Sequence, residues 1–241
     1  MSPTAIPGNL ILKNGMVITG REKDPYRSNV SLHLRGTQSG GEFVDVSPSP
    51  KIITRFGDVD PGSPGGGTPI YPASNSAFGS AIAFDGIGDY LTVASNADFN
   101  FGSGDWTIEC WFYLNNISGN YYLITLDTSL FYLYTTSTGR VGFEAPGMYR
   151  ESAASTVAAQ TWYQLMLSKS DTNTYTLSLN GSALSLPSSF GTLPSSFGSN
   201  GVYISSRPAG GGVVNGYIDE VRITKGVARQ IQATSAPFPD F

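Results

Sequence analysis

Phe84-Asp-Gly-Ile-Gly-Asp-Tyr-Leu-Thr-Val93, Asp98-Phe-Asn-Phe-Gly-Ser-Gly-Asp-Trp-Thr-Ile-Glu-Cys-Trp-Phe-Tyr113 and Asn215-Gly-Tyr-Ile-Asp-Glu-Val-Arg-Ile-Thr-Lys225 share one construction. Each is an aromatic and β-branched run entered through a turn of Gly with Asp or Asn, which is how strands are bounded. From Trp106 the side chains alternate strictly. The period of two puts Trp106, Ile108, Cys110 and Phe112 on one face, expected to be the core, and Thr107, Glu109, Trp111 and Tyr113 on the other. The same reading predicts strands at Val30 to Leu34, Ile52 to Arg55, Tyr121 to Leu126, Leu130 to Thr135, Val141 to Glu144, Trp162 to Lys169, Tyr175 to Asn180 and Val202 to Ser205. Turn residues fall between them at the spacing of a sandwich. Asn180-Gly181 marks a hairpin, and no twelve-residue segment has helical periodicity.

In order and spacing these stretches resemble the laminin-G-like, or concanavalin A-like, jelly-roll family over residues 28 to 241. The tail, Lys225-Gly-Val-Ala-Arg229 with Ala236-Pro-Phe-Pro-Asp-Phe241, is similar to versions of that domain found in bacteriophage structural proteins. The resemblance implies an all-β antiparallel sandwich. It also implies a non-catalytic structural or decoration protein of a virion assembled in host cytoplasm, on capsid or tail, and present in many copies. A carbohydrate-binding module that adheres to host surface glycans is the alternative, and a glycosidase the weaker one. The fold serves all three, so function has to be argued from a site.

Composition agrees with one β domain. Only 13% of the 241 residues are charged, while Gly and Pro number 29 and 15, which suits many short strands joined by tight turns. The net charge of −4 is uneven: residues 1 to 35 hold five cations against two anions, leaving −7 for the rest. Five cations spread over that length are too sparse for a phosphate-binding patch, so nucleic acid is not the expected partner. The single Cys110 excludes an intrachain disulfide, and no apolar run approaches the length of a membrane span.

Residues 1 to 27 read as an N-terminal arm and linker ahead of the jelly roll at 28 to 241. Within the arm, Asn9 to Thr19 places two apolar runs around Asn14-Gly15, the signature of a type I′ hairpin. Such a hairpin is not stable alone. It either joins the sandwich as an edge or docks on another virion protein. Gly57 to Pro69 is too rich in Gly and Pro to pair and is expected as a long surface loop. Leu186-Pro-Ser-Ser-Phe-Gly-Thr192 is followed at once by Leu193-Pro-Ser-Ser-Phe-Gly-Ser199, a duplication too short for a solenoid and read as a lengthened loop.

No catalytic set is legible. A glycosidase needs two carboxylates on one face, and neither adjacent Asp219 and Glu220 nor Glu42 and Asp45 meet that spacing on a strand. His33 is the lone histidine, so a hydrolase triad has none to spare. Laminin-G-like relatives often carry calcium at a sheet rim. Asp85 and Asp89 bracket a Gly-x-Gly turn that could supply two ligands, with Asp98 or Asp219 adding to them; Asp58 and Asp60 are a second, weaker pair. Alternatively, Asp85 and Asp89 cap their own turn. For sugar, the stacking candidates are Trp111 and Tyr113, on the face opposite the core set, with Tyr121, Tyr122, Tyr132 and Tyr134 behind them; alternatively, these aromatics fill the core or support the sheets by cross-strand contact.

Overall fold

A computed structural model describes residues 9–11, 17–19, 24–36, 43–57, 59, 81–126, 131–170, 174–192, 201–208 and 210–231. Its strands, in chain order, are β1 (Asn9–Ile11), β2 (Val17–Thr19), β3 (Val30–Gly36), β4 (Phe43–Asp45), β5 (Ile53–Phe56), β6 (Ile82–Asp85), β7 (Tyr90–Val93), β8 (Trp106–Leu114) and β9 (Tyr121–Leu126). They continue with β10 (Phe131–Thr135), β11 (Val141–Ala145), β12 (Met148–Glu151), β13 (Trp162–Lys169), β14 (Tyr175–Leu179), β15 (Ser182–Ala183), β16 (Ser188–Phe190), β17 (Val202–Ile204) and β18 (Asn215–Lys225). Two 3₁₀ turns, at Arg27–Asn29 and Ala97–Phe99, are the helical elements among the described residues.

The sandwich has two antiparallel sheets. The front sheet runs β16-β12-β11-β10-β9-β17-β7-β5; the back sheet runs β15-β14-β13-β8-β18-β3-β4, with β6 also pairing β18. Long β18 serves two neighbours along one edge, β6 against Asn215–Ile218 and β3 against Val221–Thr224. Between these segments its pairing with β8 shifts by one residue, and Glu220 there takes a left-handed φ of 51°. The inner faces meet in one core. Trp106, Ile108, Cys110 and Phe112 lie in it, as their alternation predicts, against Leu133, Phe143, Leu167 and Ile204. Asn180 and Gly181 adopt φ of 49° and 75° and join β14 to β15 as the two-residue turn their sequence calls for.

Three expectations are corrected. β1 and β2 do pair, but Ile11 faces Val17 and Leu10 faces Ile18. That register is one residue away from the one a two-residue Asn14-Gly15 turn would set, and in a strand such a slip exchanges the two faces. The first copy of the duplicated heptad is not loop: Ser188–Phe190 is the edge strand β16, paired with β12. Finally, the linker gives way to the sandwich before residue 28, because Asp24 is buried against Arg222 and Arg229. The glycine-rich loop lies largely outside the described residues.

The outer face of the back sheet is covered. At one end Asp24 accepts both terminal nitrogens of Arg229 at 2.9 and 2.7 Å, while Arg222 Nε donates to Glu109 at 2.8 Å. Thr107 bonds the Val227 carbonyl, and the Arg229 amide donates to Thr107. The segments at 24–29 and 227–231 are therefore fixed side by side on this face. Beside them Glu220 accepts from His33 at 2.7 Å and pairs with Arg35 at 2.7 Å. At the other end Trp111 and Trp162 pack with Tyr113, Tyr217 and Ala81.

Candidate functional site

The outer face of the front sheet carries a row of side chains read directly from its register. Phe190 faces Tyr149, Tyr149 faces Glu144, Glu144 faces Tyr132, Tyr132 faces Thr125, Thr125 faces Tyr203, Tyr203 faces Thr92 and Thr92 faces Thr54. Alternation explains why these residues share a face, since their neighbours Phe131, Leu133, Phe143, Val202 and Ile204 all enter the core. A parallel row holds Glu151, Gly142 and Tyr134, with Tyr122 next to it. Phe56 and Tyr90 extend the aromatic surface at the β5 edge: they stack at 4.5 Å, and Tyr90 lies 6.0 Å from Tyr203. At the opposite edge Tyr149 and Phe190 stack at 6.1 Å. Phe190 is 61% exposed and Phe56 41%. The tyrosines between them are half-buried, apart from the more enclosed Tyr134, and Thr125 is fully buried.

Charges sit inside this aromatic surface. Arg207 lies over the Tyr122 ring at 5.3 Å. Its loop returns against the same ring through Gly212, whose carbonyl accepts from the Tyr122 amide at 2.9 Å. A β-carbon at Gly212 would fall 2.2 Å from the ring, and its φ is 66°, so this approach needs glycine. Tyr134 donates to Glu151 at 2.8 Å, and Arg140 stands 3.8 Å from the same carboxylate. Burial, then the nearby charge of Glu151, raises the Glu144 carboxyl above its ordinary range, with Arg207 opposing. Burial and the bond to Glu151 likewise push the Tyr134 phenol up.

Two carboxylates thus share one face on neighbouring strands, diagonally across β11 and β12, where side chains lie within reach of one substrate. Spacing along a single strand cannot reveal such a pair, which only the pairing of β11 with β12 brings together. Tyr149 and Glu151 follow Pro146-Gly147, a readable turn signal, but four residues of mixed character do not announce a strand.

The residues expected to bind sugar are divided by the structure. Tyr122, Tyr132 and Tyr134 come together on the front face, whereas Tyr121 turns into the core. Trp111 is 6% exposed, packed in the back-sheet aromatic cluster rather than presented outward. Tyr113 is half-buried there, 5.6 Å from Trp162 and 5.6 Å from Tyr217. The outward face predicted for Trp111 and Tyr113 is correct as a face, but Trp111 is enclosed by its packing with Trp162, Tyr113, Tyr217 and Ala81, so these aromatics support the sheet by cross-strand contact.

Asp85 and Asp89 form a turn. Asp89 is buried and its Oδ2 accepts from the Asp85 amide at 3.1 Å, while Asp85 Oδ1 accepts from the Ile87 amide at 2.6 Å. Asp98 is paired with Lys51 at 2.7 Å, and Asp219 is buried near the Gly36 amide. Among the described residues no three His, Cys, Asp or Glu side chains converge as a metal set; Asp58 and Asp60 lie outside those residues. Of the carboxylates weighed for catalysis, Asp219 and Glu220 are both buried. Asp45 accepts from the His33, Ser47 and Lys51 amides, and Glu42 lies outside the described residues.

No curated protein matches the chain significantly. Among solved structures it is similar to the receptor-binding domain of botulinum neurotoxin C/D mosaic serotype, at 13% identity and TM-score 0.59 over 83% of this chain and 49% of that one. The botulinum neurotoxin type G receptor-binding domain matches at 14% identity and TM-score 0.55, over 85% and 49%. A type C neurotoxin structure, of a toxin whose cell entry depends on interaction with two ganglioside molecules, matches at 13% and 0.57, over 84% and 49%. The chain spans about half the length of each, and at such identities the likeness is one of fold. The family model for the concanavalin A-like lectin/glucanases superfamily matches residues 85–231, more than half of the chain and every strand from β7 to β18, and the chain belongs to that superfamily.

Proposed function

We propose that this protein is a non-catalytic glycan-binding module whose ligand lies on the outer face of the front sheet. The carrying observation is the register row that gathers Tyr149, Tyr132 and Tyr203 on one surface, with Glu144 between the first two. Sugar rings present an apolar face that stacks on tyrosine and a rim of hydroxyls that bond carboxylate and guanidinium groups, and half-buried tyrosines interleaved with Glu144, Glu151 and Arg207 offer both. The superfamily match and the fold shared with receptor-binding domains support this reading.

The far side of the sandwich suits attachment. Segments 24–29 and 227–231 are fixed on the outer face of the back sheet, on the far side of the sandwich from the row. A module attached through this back-sheet side would hold the row away from its support. Decoration of a phage particle through the N-terminal arm is the setting proposed for this arrangement. Deleting residues 1–23 should then leave a folded sandwich that no longer co-sediments with the particle.

A glycan array probed with the intact chain tests the binding reading. Retention of at least one glycan class, weakened roughly tenfold or more by Tyr132→Ala, supports it, since loss of a central anchor costs more than about 1 kcal/mol. An empty array refutes it. Because Glu144 and Glu151 share a face, the retained glycans are also assayed for new reducing ends. None is expected, as Glu151 is held by Tyr134; their release, abolished by Glu144→Gln, would make the protein a glycosidase.

A further inference from the structure

We infer that two copies of this chain associate edge to edge through β5, each pairing the strand with its counterpart in antiparallel fashion about a twofold axis at Thr54, so that their front sheets run on as one.

The free edges of the sandwich are not alike. An exposed strand edge offers unpaired amides and carbonyls to any other chain, and proteins ordinarily blunt it. At β16 Arg150 does so, donating to the Phe190 and Gly191 carbonyls at 2.7 and 2.9 Å. In the back sheet β15 is only two residues long and β4 three, and the Asp45 carboxylate that ends β4 is turned back onto the Ser47 and Lys51 amides. β6, beside β18, is buried at Ile82, Ala83 and Phe84. β5 has none of these guards. It pairs with β7 on one side, and among the described residues no strand lies on the other. Thr54, Arg55 and Phe56 are exposed, and the charge of Arg55 is drawn to its own chain, where Nη1 donates to the Val59 carbonyl at 3.3 Å.

The symmetry of the strand itself identifies the partner. Ile52, 85% exposed, and Phe56, 41% exposed, stand two residues to either side of Thr54. Alternation puts all three on the outer face of the front sheet, where Phe56 stacks on Tyr90 at 4.5 Å. In an antiparallel pair centred on Thr54, Ile52 of one copy therefore faces Phe56 of the other, and the same contact recurs across the axis because a twofold interface forms every contact twice. Thr54 meets its own counterpart, a favourable neighbour in a sheet. The other centres that keep the faces matched are worse. Centring on Arg55 sets two arginines face to face, and centring on Ile53 sets Lys51 against Arg55; like charges directly opposite destabilise a sheet. A centre between two residues would place outward side chains against inward ones.

The test is sedimentation of the intact chain over a range of concentrations, which should show a dimer that dissociates on dilution. Thr54→Lys sets two lysines at the axis and should raise the dissociation constant about tenfold or more. Mixing it with Thr54→Glu should restore association between the two variants, which a folding defect cannot do. Thr54→Cys should cross-link to the same residue of the second copy under mild oxidation, since facing Cα atoms about 4.5 to 5.5 Å apart are within disulfide reach. Ser189→Cys, on the guarded β16 edge, should not. A chain that stays monomeric at every concentration, or a dimer indifferent to Thr54→Lys, overturns the inference. So does a dimer lost on deleting residues 1–23, because the N-terminal hairpin is then the occupant of the edge.

Discussion

Asp24→Ala should be among the most damaging single changes in this protein, although the residue lies in what the sequence presents as a linker. Its carboxylate is fully buried and accepts two bonds from Arg229, one from the Tyr26 amide and a longer one from Arg222. Truncation leaves Arg229, only 9% exposed, without its bidentate partner. Removing one member of a buried ion pair costs about 3 to 5 kcal/mol, because the remaining charge stays desolvated. For a domain of this size that corresponds to a fall in Tm of about 6 to 20 °C. Thermal unfolding followed by circular dichroism at pH 7 measures it, and the difference should persist in high salt because buried pairs are poorly screened. Adding Arg229→Met to Asp24→Ala should recover part of the loss, since the uncompensated cation is then gone.

The pH dependence has a definite sign. Burial alone would raise the Asp24 carboxyl, but the Arg229 hydrogen bonds, the Tyr26 amide and the charges of Arg229 and Arg222 outweigh it and hold it below its ordinary value. A depressed acid contributes stability above its unfolded pKa, near 3.9, and loses it as pH falls through the lower folded value. The wild-type and Asp24→Ala curves should therefore converge below pH 4. A change in Tm under 2 °C at pH 7 would refute the clamp.

Deleting residues 1–23 should leave Tm nearly unchanged, whereas deleting 1–27 should lower it about as much as Asp24→Ala, which calorimetry of the two truncations compares. Cys110, fully buried and with its thiol pushed up by burial, should resist thiol reagents in the native state. Cys110→Ser should destabilise by roughly 1 to 3 kcal/mol in urea unfolding, through an imperfectly paired hydroxyl. Burial lowers the pKa of His33, with Glu220 opposing, so the unfolded chain takes up its proton first as pH falls below about 6.5. Stability should decline from there toward the folded pKa, and His33→Gln should flatten that part of the Tm profile. Calcium and chelator should give superimposable melting curves, because Asp85 and Asp89 already bond the amides of their own turn; a calcium-dependent rise in Tm would restore the metal reading.

The alternation of apolar residues fixed most of the architecture. β9 and β13 fall where the sequence places them, and the Asn180-Gly181 turn forms as its residues require. What failed to show was whatever depends on distant parts of the chain. Thr107 and Glu109 read only as the face opposite the core, and nothing local indicates that Asp24 and Arg229 will lie over it. Trp111 reads as a platform for the same reason. The duplicated heptad is a sharper case, since identical sequences cannot announce which copy pairs. Reach decides it. From Phe190 to Tyr203 the row crosses five strand spacings, about 24 Å, and thirteen residues cover that easily. From Phe197 only six residues remain, at most about 21 Å, so the first copy is the one able to form β16. The candidate site was half visible: Tyr132 and Tyr134 share a face by alternation, but Tyr149, Glu144 and Tyr203 join them only through register.

The most direct measurement of where ligand binds is tyrosine nitration of the intact chain, mapped by mass spectrometry with and without a saturating glycan retained on the array. Binding on the front sheet predicts that Tyr132, Tyr149 and Tyr203 are protected while Tyr113 and Tyr217 on the back sheet react as before. Protection of Tyr113 and Tyr217 with undiminished nitration of the front-sheet tyrosines would contradict the account.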